Sequence, residues 1–282
     1  MLARFVPLLF VLLWSTGFLG AKFGLPHAEP LAFLLIRYLL VITLMTALAL
    51  LFRARWPGDL RQWLHIGVSG LLMHGLYLSG VFISISQGLP AGVASLIVGM
   101  QPLLTATLAG RLLGETVLPR QWTGLALGFA GVALVVSHKL GSGFGMEALV
   151  PAFAALIGIT AGTLYQKRFC PHFDWCSGAV AQFLPTAVIT AAIVFITDGF
   201  RIDWTGEFVF ALGWLVLVLS VGAISLLNWL IRHGSAVNVA SLFYLTPPTT
   251  ALLAWLLFGE TLGGLALAGM ALAVWGVYLS RR

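Results

Sequence analysis

The chain has 282 residues, of which 60% are hydrophobic and only 9% charged, with a mean hydropathy of +1.02. A soluble domain carries about 25% charged residues, so this composition excludes a soluble fold and points to an integral membrane protein. The net charge of +6 would suggest nucleic acid in a soluble protein; here the basic residues sit in short connections between apolar runs, the pattern of membrane orientation, and no nucleic-acid partner is expected.

A membrane-crossing helix needs roughly 20 apolar residues. Ten such runs follow one another, at 5–23, 30–52, 63–86, 90–111, 119–137, 147–166, 176–197, 207–230, 236–258 and 262–280. The first follows Arg4 and resembles a secretory signal, but no small-x-small cleavage site comes after it, so it is read as a retained span. Pro26 and Pro30, Trp56-Pro57-Gly58, Pro90, Pro119, the glycine-rich stretch 141–145, Pro171 and Asp198-Gly199 punctuate the runs as turns. No connection is long enough to hold an extramembrane domain, and two cysteines offer no disulfide framework.

With the N-terminus cytoplasmic, the inner segments hold Arg4, Arg53, Arg55, Arg61, Arg111, Arg120, Lys167, Arg168, Arg232, Arg281 and Arg282, while the outer loops hold only Lys22, Lys139 and Arg201. This imbalance predicts a multi-pass protein of the cell (inner or plasma) membrane with both termini inside.

The chain also repeats itself. Val93-Ala94-Ser95-Leu96 leads through Pro102 to Gly114-Glu115-Thr116, and Val239-Ala240-Ser241-Leu242 leads through Pro248 to Gly259-Glu260-Thr261. At an offset of 145, Lys22 meets Lys167, Pro26 meets Pro171, His27 meets His172, Glu29 meets Asp174, Gly124 meets Gly269 and Gly131 meets Gly276. Two homologous halves, at 1–140 and 146–282, then contribute five spans each. An odd number of spans inverts the second half relative to the first, which is a transporter signature. The expected fold is all-α: ten transmembrane helices as two inverted five-helix repeats around a central cavity.

That arrangement resembles the ten-helix EamA-like branch of the drug/metabolite transporter superfamily. Its pieces are Leu13-Trp14-Ser15-Thr16-Gly17-Phe18 in the first span, Pro30 with Arg37-Tyr38 in the second, and the two Ala-Ser-Leu…Pro…Gly-Glu-Thr stretches. The second half departs from the first signature, reading Ile159-Thr160-Ala161-Gly162. The resemblance implies alternating access and export of small metabolites or drugs, with no enzyme activity and no cofactor.

Polar groups at membrane depth are costly and therefore candidates for substrate contact. Arg37 lies about 10 Å below the outer end of its helix, where it either anchors an anionic group or gate or pairs with a carboxylate such as Glu29; its counterpart in the second half is Gln182. His74 shares a helical stripe with Gly70, Tyr77, Val81 and Ser84, and is read as a cavity contact or as a histidine satisfied by a neighbouring helix. Trp14, Ser15, Met100, Gln101 and Tyr244 lie near mid-depth, the last three beside Pro102 and Pro247-Pro248, which free helix carbonyls. Tyr165 and Asn228 lie nearer the inner ends of their spans and line an inner vestibule if they face inward. All nine acidic residues fall at helix ends or in loops, which weakens proton antiport relative to uniport or exchange. Glu115 and Glu260 are read as ties for short turns or as gates.

Gly124, Gly128 and Gly131 in span five, with Gly264, Ala268 and Gly269 in span ten, suit close helix packing or a weak homodimer face. Cys170-Pro171-His172-Phe173-Asp174-Trp175-Cys176 carries metal-type ligands, but its Pro-His-x-acid core recurs at 26–29 without cysteine, so no metal is expected. The expected partners are a small-molecule substrate and the lipid bilayer. Import, or flipping of lipid-like amphiphiles, remains a second reading on the same architecture. An integral-membrane enzyme is disfavoured because no nucleophile–base cluster is evident.

Overall fold

In a bilayer every backbone N–H and C=O must be satisfied within the chain, so apolar runs of this length fold as helices. The computed structural model describes residues 5–137, 144–197, 199–258 and 263–280. Each of the ten runs forms a helical rod: α1 (Val6–Gly24), α2 (Pro30–Leu51), α3 (Leu60–Ser86), α4 (Ala91–Val98 and Gln101–Leu113), α5 (Pro119–Val136), α6 (Met146–Phe169), α7 (Trp175–Ile196), α8 (Gly206–His233), α9 (Ala236–Ser241, the 3-10 turn Leu242–Leu245, and Thr246–Phe258) and α10 (Gly264–Ser280). Seven of them, α1 to α4 and α6 to α8, are long and apolar enough to cross a membrane; α10 is apolar but shorter.

Local chemistry sets the ends. Asp59, Asp174, Thr205 and Ser235 cap the starts of α3, α7, α8 and α9 by accepting backbone N–H groups through their side chains. Pro30 and Pro119 open α2 and α5, where a missing N–H costs nothing. Gly114 ends α4 at a φ of 68°, a left-handed turn that glycine adopts without strain. The acid of each Pro-His-x-acid motif precedes the second helix of its half, and the backbone carbonyl of Glu29 starts α2 by accepting from Phe33 N–H at 2.9 Å.

The prolines expected to break α4 and α9 stand just after the breaks. Pro102 lies in the first turn of the second segment of α4, beyond a discontinuity at Gly99-Met100, and Pro247-Pro248 follow the 3-10 turn of α9. The third helix of each half contains a π segment, Leu71–Leu76 in α3 and Leu215–Ala223 in α8. The wider turn re-aims side chains and divides the stripe expected on α3. Gly70 packs on the α7 backbone, where a Cβ would sit 2.1 Å from Gln182 O, whereas His74, Tyr77 and Val81 face the space between the halves.

The inverted relation is visible in paired contacts. A Cβ on Gly124 would lie 2.6 Å from Gly276 O, and one on Gly269 would lie 2.6 Å from Gly131 O. These are the same contact seen from the two ends of the α5–α10 seam, because the offset of 145 exchanges them. The glycines of α5 and α10 thus hold these two helices together within the chain, while Gly264 faces open space. The connections behave alike. The α1–α2 connection meets the α7–α8 connection through an isolated antiparallel bridge, Ala28 to Ile202. The first turn of α7 meets the α2–α3 connection, with Ser177 Oγ donating to Arg55 O at 2.7 Å. The starts of α1, α3, α5, α7 and α9 and the ends of α2, α4, α6, α8 and α10 share one face, here termed the terminal face.

Candidate functional site

Between the halves lies a narrow, mainly apolar cavity. Room for the centre of a water molecule amounts to about 40 Å³, enough for a few waters at most. Four of the residues singled out in the sequence meet there: Trp14 on α1, Arg37 on α2, and His74 and Tyr77 on α3. Leu215, Leu219 and Ile224 of α8 form the opposite wall, so the two π segments face each other across it.

Each of these side chains is held from behind. Trp14 stacks on Tyr77 with ring centres 6.1 Å apart and an interplanar angle of 15°, and takes the edge of Phe243 at 5.2 Å. The His74 ring lies flat on Phe183, 4.0 Å away. Tyr38 donates to the carbonyl of His74 at 2.6 Å, which satisfies an acceptor loosened by the π turn. Arg37 donates from Nε to Ser220 Oγ at 2.9 Å, a bond from the second helix of one half to the third of the other. The carboxylate pairing considered for Arg37 is not what its contacts show: its polar partner is this serine.

Beside the cavity runs a buried amide chain that the sequence reading did not pick out as functional. Gln182 donates to Ser69 Oγ at 3.1 Å and to Gln166 Oε1 at 2.9 Å, and Gln166 donates to Asn228 Oδ1 at 3.0 Å. It ties α3, α7, α6 and α8 together with uncharged groups. In the sequence Gln182 stands out only as the counterpart of Arg37, and Gln166 only as a polar residue within a span.

The remaining candidates lie elsewhere. Ser15 is buried against α9, donating to Val11 O at 2.7 Å and to Thr246 O at 3.3 Å. Tyr244 is buried against α5, where a Cβ on Gly128 would lie 2.5 Å from its ring. Met100 packs beside a second apolar cluster around Leu89, Val93 and Ala152. Gln101 donates to Thr163 Oγ1 at 3.3 Å within a small cavity under the terminal face. Tyr165 pairs with His65 at 2.7 Å on a lateral apolar groove between α3, α4 and α6. Asn228, at the end of the amide chain, borders a cleft with Val6, Trp229 and Arg232.

Polar contacts join the two halves at both faces. On the terminal face Lys167 Nζ stands 3.2 Å from Glu115 Oε1 and also donates to Gly234 O, while both Glu115 oxygens accept from Ala236 N–H at 3.0 Å. This supports a tie at Glu115; Glu260 lies outside the described residues. On the opposite face His27 Nε2 meets Glu207 Oε2 at 3.2 Å, and Asp203 N–H donates to His27 O at 2.7 Å.

In the 170–176 connection, Asp174 caps α7 rather than standing free, accepting from Cys176 N–H at 2.9 Å. Burial pushes the Cys170 thiol up to about 11, so it stays protonated at neutral pH. Since the thiolate is the reactive form, Cys170 in the folded protein is expected to resist maleimide at pH 7 and to react fully once denatured, as mass spectrometry would report. Rapid labelling of the native protein would contradict this packing.

Two inverted helical repeats with a mainly apolar cavity between them define a multi-pass membrane transporter. The model of the EamA-like transporter family matches residues 2–137 and again residues 146–282, and the chain belongs to that family. It is a transporter, not an enzyme. A Salmonella typhimurium protein named "Probable amino-acid metabolite efflux pump" is 28% identical over 98% of this chain and 93% of its own length. The uncharacterized transporter YvbV of Bacillus subtilis is 29% identical, covering 95% of this chain and 88% of itself. The uncharacterized inner membrane transporter YedA of Escherichia coli is 26% identical over 95% and 87%. A crystal structure at 22% identity shares the fold, with a TM-score of 0.77 over 97% of this chain and 94% of that one.

Proposed function

We propose that this chain exports small organic metabolites, related to amino acids, by alternating access. The two halves, 1–140 and 146–282, rock about the cavity at Trp14, Arg37, His74 and Tyr77. Both termini lie in the cytoplasm, so that the Glu115–Lys167 contact is the inner closure and the His27–Glu207 contact belongs to the outer one. The observation that carries this reading is a cavity at the junction of the halves, with breakable polar contacts between the halves at either face. The name of the Salmonella relative supports the substrate class and the direction. Gln101, Tyr165 and Asn228 line the inner route, and Met100 and Tyr244 in the broken helices α4 and α9 border it, with Ser15 of α1 packed on α9.

Reconstitution into liposomes tests this. Flux of at least one member of a panel of amino acids, purines and amphipathic drugs should exceed that of empty vesicles. Trp14→Ala and His74→Ala should each lower it by at least about tenfold, the scale of one or two lost substrate contacts, while gel filtration stays unchanged. Absence of flux across the panel, or loss of folded protein in both variants, would count against it.

A further inference from the structure

Arg37 is the only charged residue lining the central cavity among the described residues, and no Asp or Glu lines it. The guanidinium is 2% exposed, and the serine on its Nε offers a dipole but no neutralising charge. A cation held in an apolar interior is costly unless an anion or several acceptors meet it. His74 is 1% exposed, neither of its ring nitrogens meets the geometry of a hydrogen bond, and its polar neighbour is the amide of Gln182, whose Oε1 is likewise unsatisfied. Buried polar atoms are nearly always satisfied, so an unpaired imidazole beside a cavity is a site for an incoming polar group. The rest of the lining is aromatic or aliphatic, from Trp14 and Tyr77 to Phe82, Leu215 and Leu219.

Resting on the reading of this cavity as the substrate site, we propose that it selects an amphipathic monocarboxylate lacking a free ammonium group. The carboxylate takes the fork of Arg37 in a charge-assisted pair and a further N–H from His74. The apolar body lies between the Trp14–Tyr77 stack and the α8 wall. A zwitterionic amino acid meets the same arginine, but its ammonium finds no carboxylate in the cavity and must be desolvated without a partner. A cation of equal size meets Arg37 as a like charge. The substrate is thus a deaminated or otherwise nitrogen-blocked acid, supplied by reactions that remove or mask an amino group.

Four probes with one ring separate the classes: 3-phenylpropionate, phenylalanine, 3-phenylpropylamine and 3-phenylpropanamide. The full-length protein in detergent is titrated with each, following the shift in its thermal unfolding midpoint. Phenylpropionate is expected to bind at least about tenfold more tightly than each of the other three, one charge-assisted pair being worth that much. Arg37→Gln, which places the residue of the second half at this register, should abolish the preference. Ser220→Ala keeps the charge and should keep the preference, which covers the case of an unfolded Arg37→Gln. Phenylalanine or the amine binding as tightly as the acid would overturn the proposal, as would no binding of any probe. Either result leaves the transport reading standing if another solute shows flux that Trp14→Ala removes.

Discussion

Glu115→Ala is expected to open the terminal face. Both carboxylate oxygens hold Ala236 N–H at the start of α9, and Oε1 stands 3.2 Å from Lys167 Nζ at the end of α6. Both side chains are about one-fifth exposed, so water screens the pair only in part. Loss of a charge-assisted contact of this kind removes about 2 kcal/mol from the closed arrangement. That is roughly a 30-fold shift toward the open one. Thr163→Cys, buried beneath the closure, reports it by maleimide labelling from the terminal side, against native cysteines that are both buried. Glu115→Gln should be intermediate, since it keeps an acceptor for Ala236 but loses the charge. The exchange Glu115→Lys with Lys167→Glu should rescue only partly, because the amide of Ala236 then faces an ammonium. Unchanged labelling in Glu115→Ala would show that the contact is not a closure.

The repeat extends this expectation to the other face. The offset of 145 carries Glu115 to Glu260 and Lys167 to Lys22. Glu260→Ala is therefore expected to raise accessibility from the opposite side and leave Thr163→Cys protected. The same direction of change from both substitutions would argue against two mirrored closures.

Gly276→Val should have the largest effect on folding. A Cβ at this position would lie 2.3 Å from Gly128 N and 2.5 Å from Gly124 O, both backbone atoms that no rotamer change can move away. The two helices must separate, which costs about 3 kcal/mol or more, the upper range for overpacking. Gly131→Val, 2.4 Å from Ala273 N on the symmetric side of the seam, should behave the same way. Gly213→Ala in α8, where nothing lies within 4 Å, should be neutral or slightly stabilising. Thermal unfolding midpoints and the monodisperse fraction in detergent check all three. A normal midpoint for Gly276→Val would mean that α5 and α10 do not meet as described.

The rods, the repeat and the polar residues at depth were legible in the sequence, and Arg37, His74, Tyr77 and Trp14 do meet. Which other mid-depth residues joined them was not. In a soluble helix the apolar stripe marks the core, but in a membrane the lipid face is equally apolar, so periodicity loses that meaning. Tyr244 and Ser15 looked much like Trp14 on this measure, yet they pack against α5 and α9 rather than lining the cavity. The π turn at Leu71–Leu76 shifted α3 by a fraction of a turn, taking Gly70 to α7 and leaving His74 at the cavity. The amide chain from Ser69 to Asn228 joins residues from four helices and has no local signature.

By itself the sequence determined that this chain is a duplicated membrane helical protein, because hydropathy and spacing are properties of contiguous residues. The tertiary structure alone decided that Arg37 is bonded to Ser220, that His74 is stacked and unpaired, and that Lys167 reaches Glu115. Those facts depend on how helices remote in sequence turn toward one another. Among uniformly apolar surfaces that rotation is set by glycine seams, π turns and a few buried polar bonds.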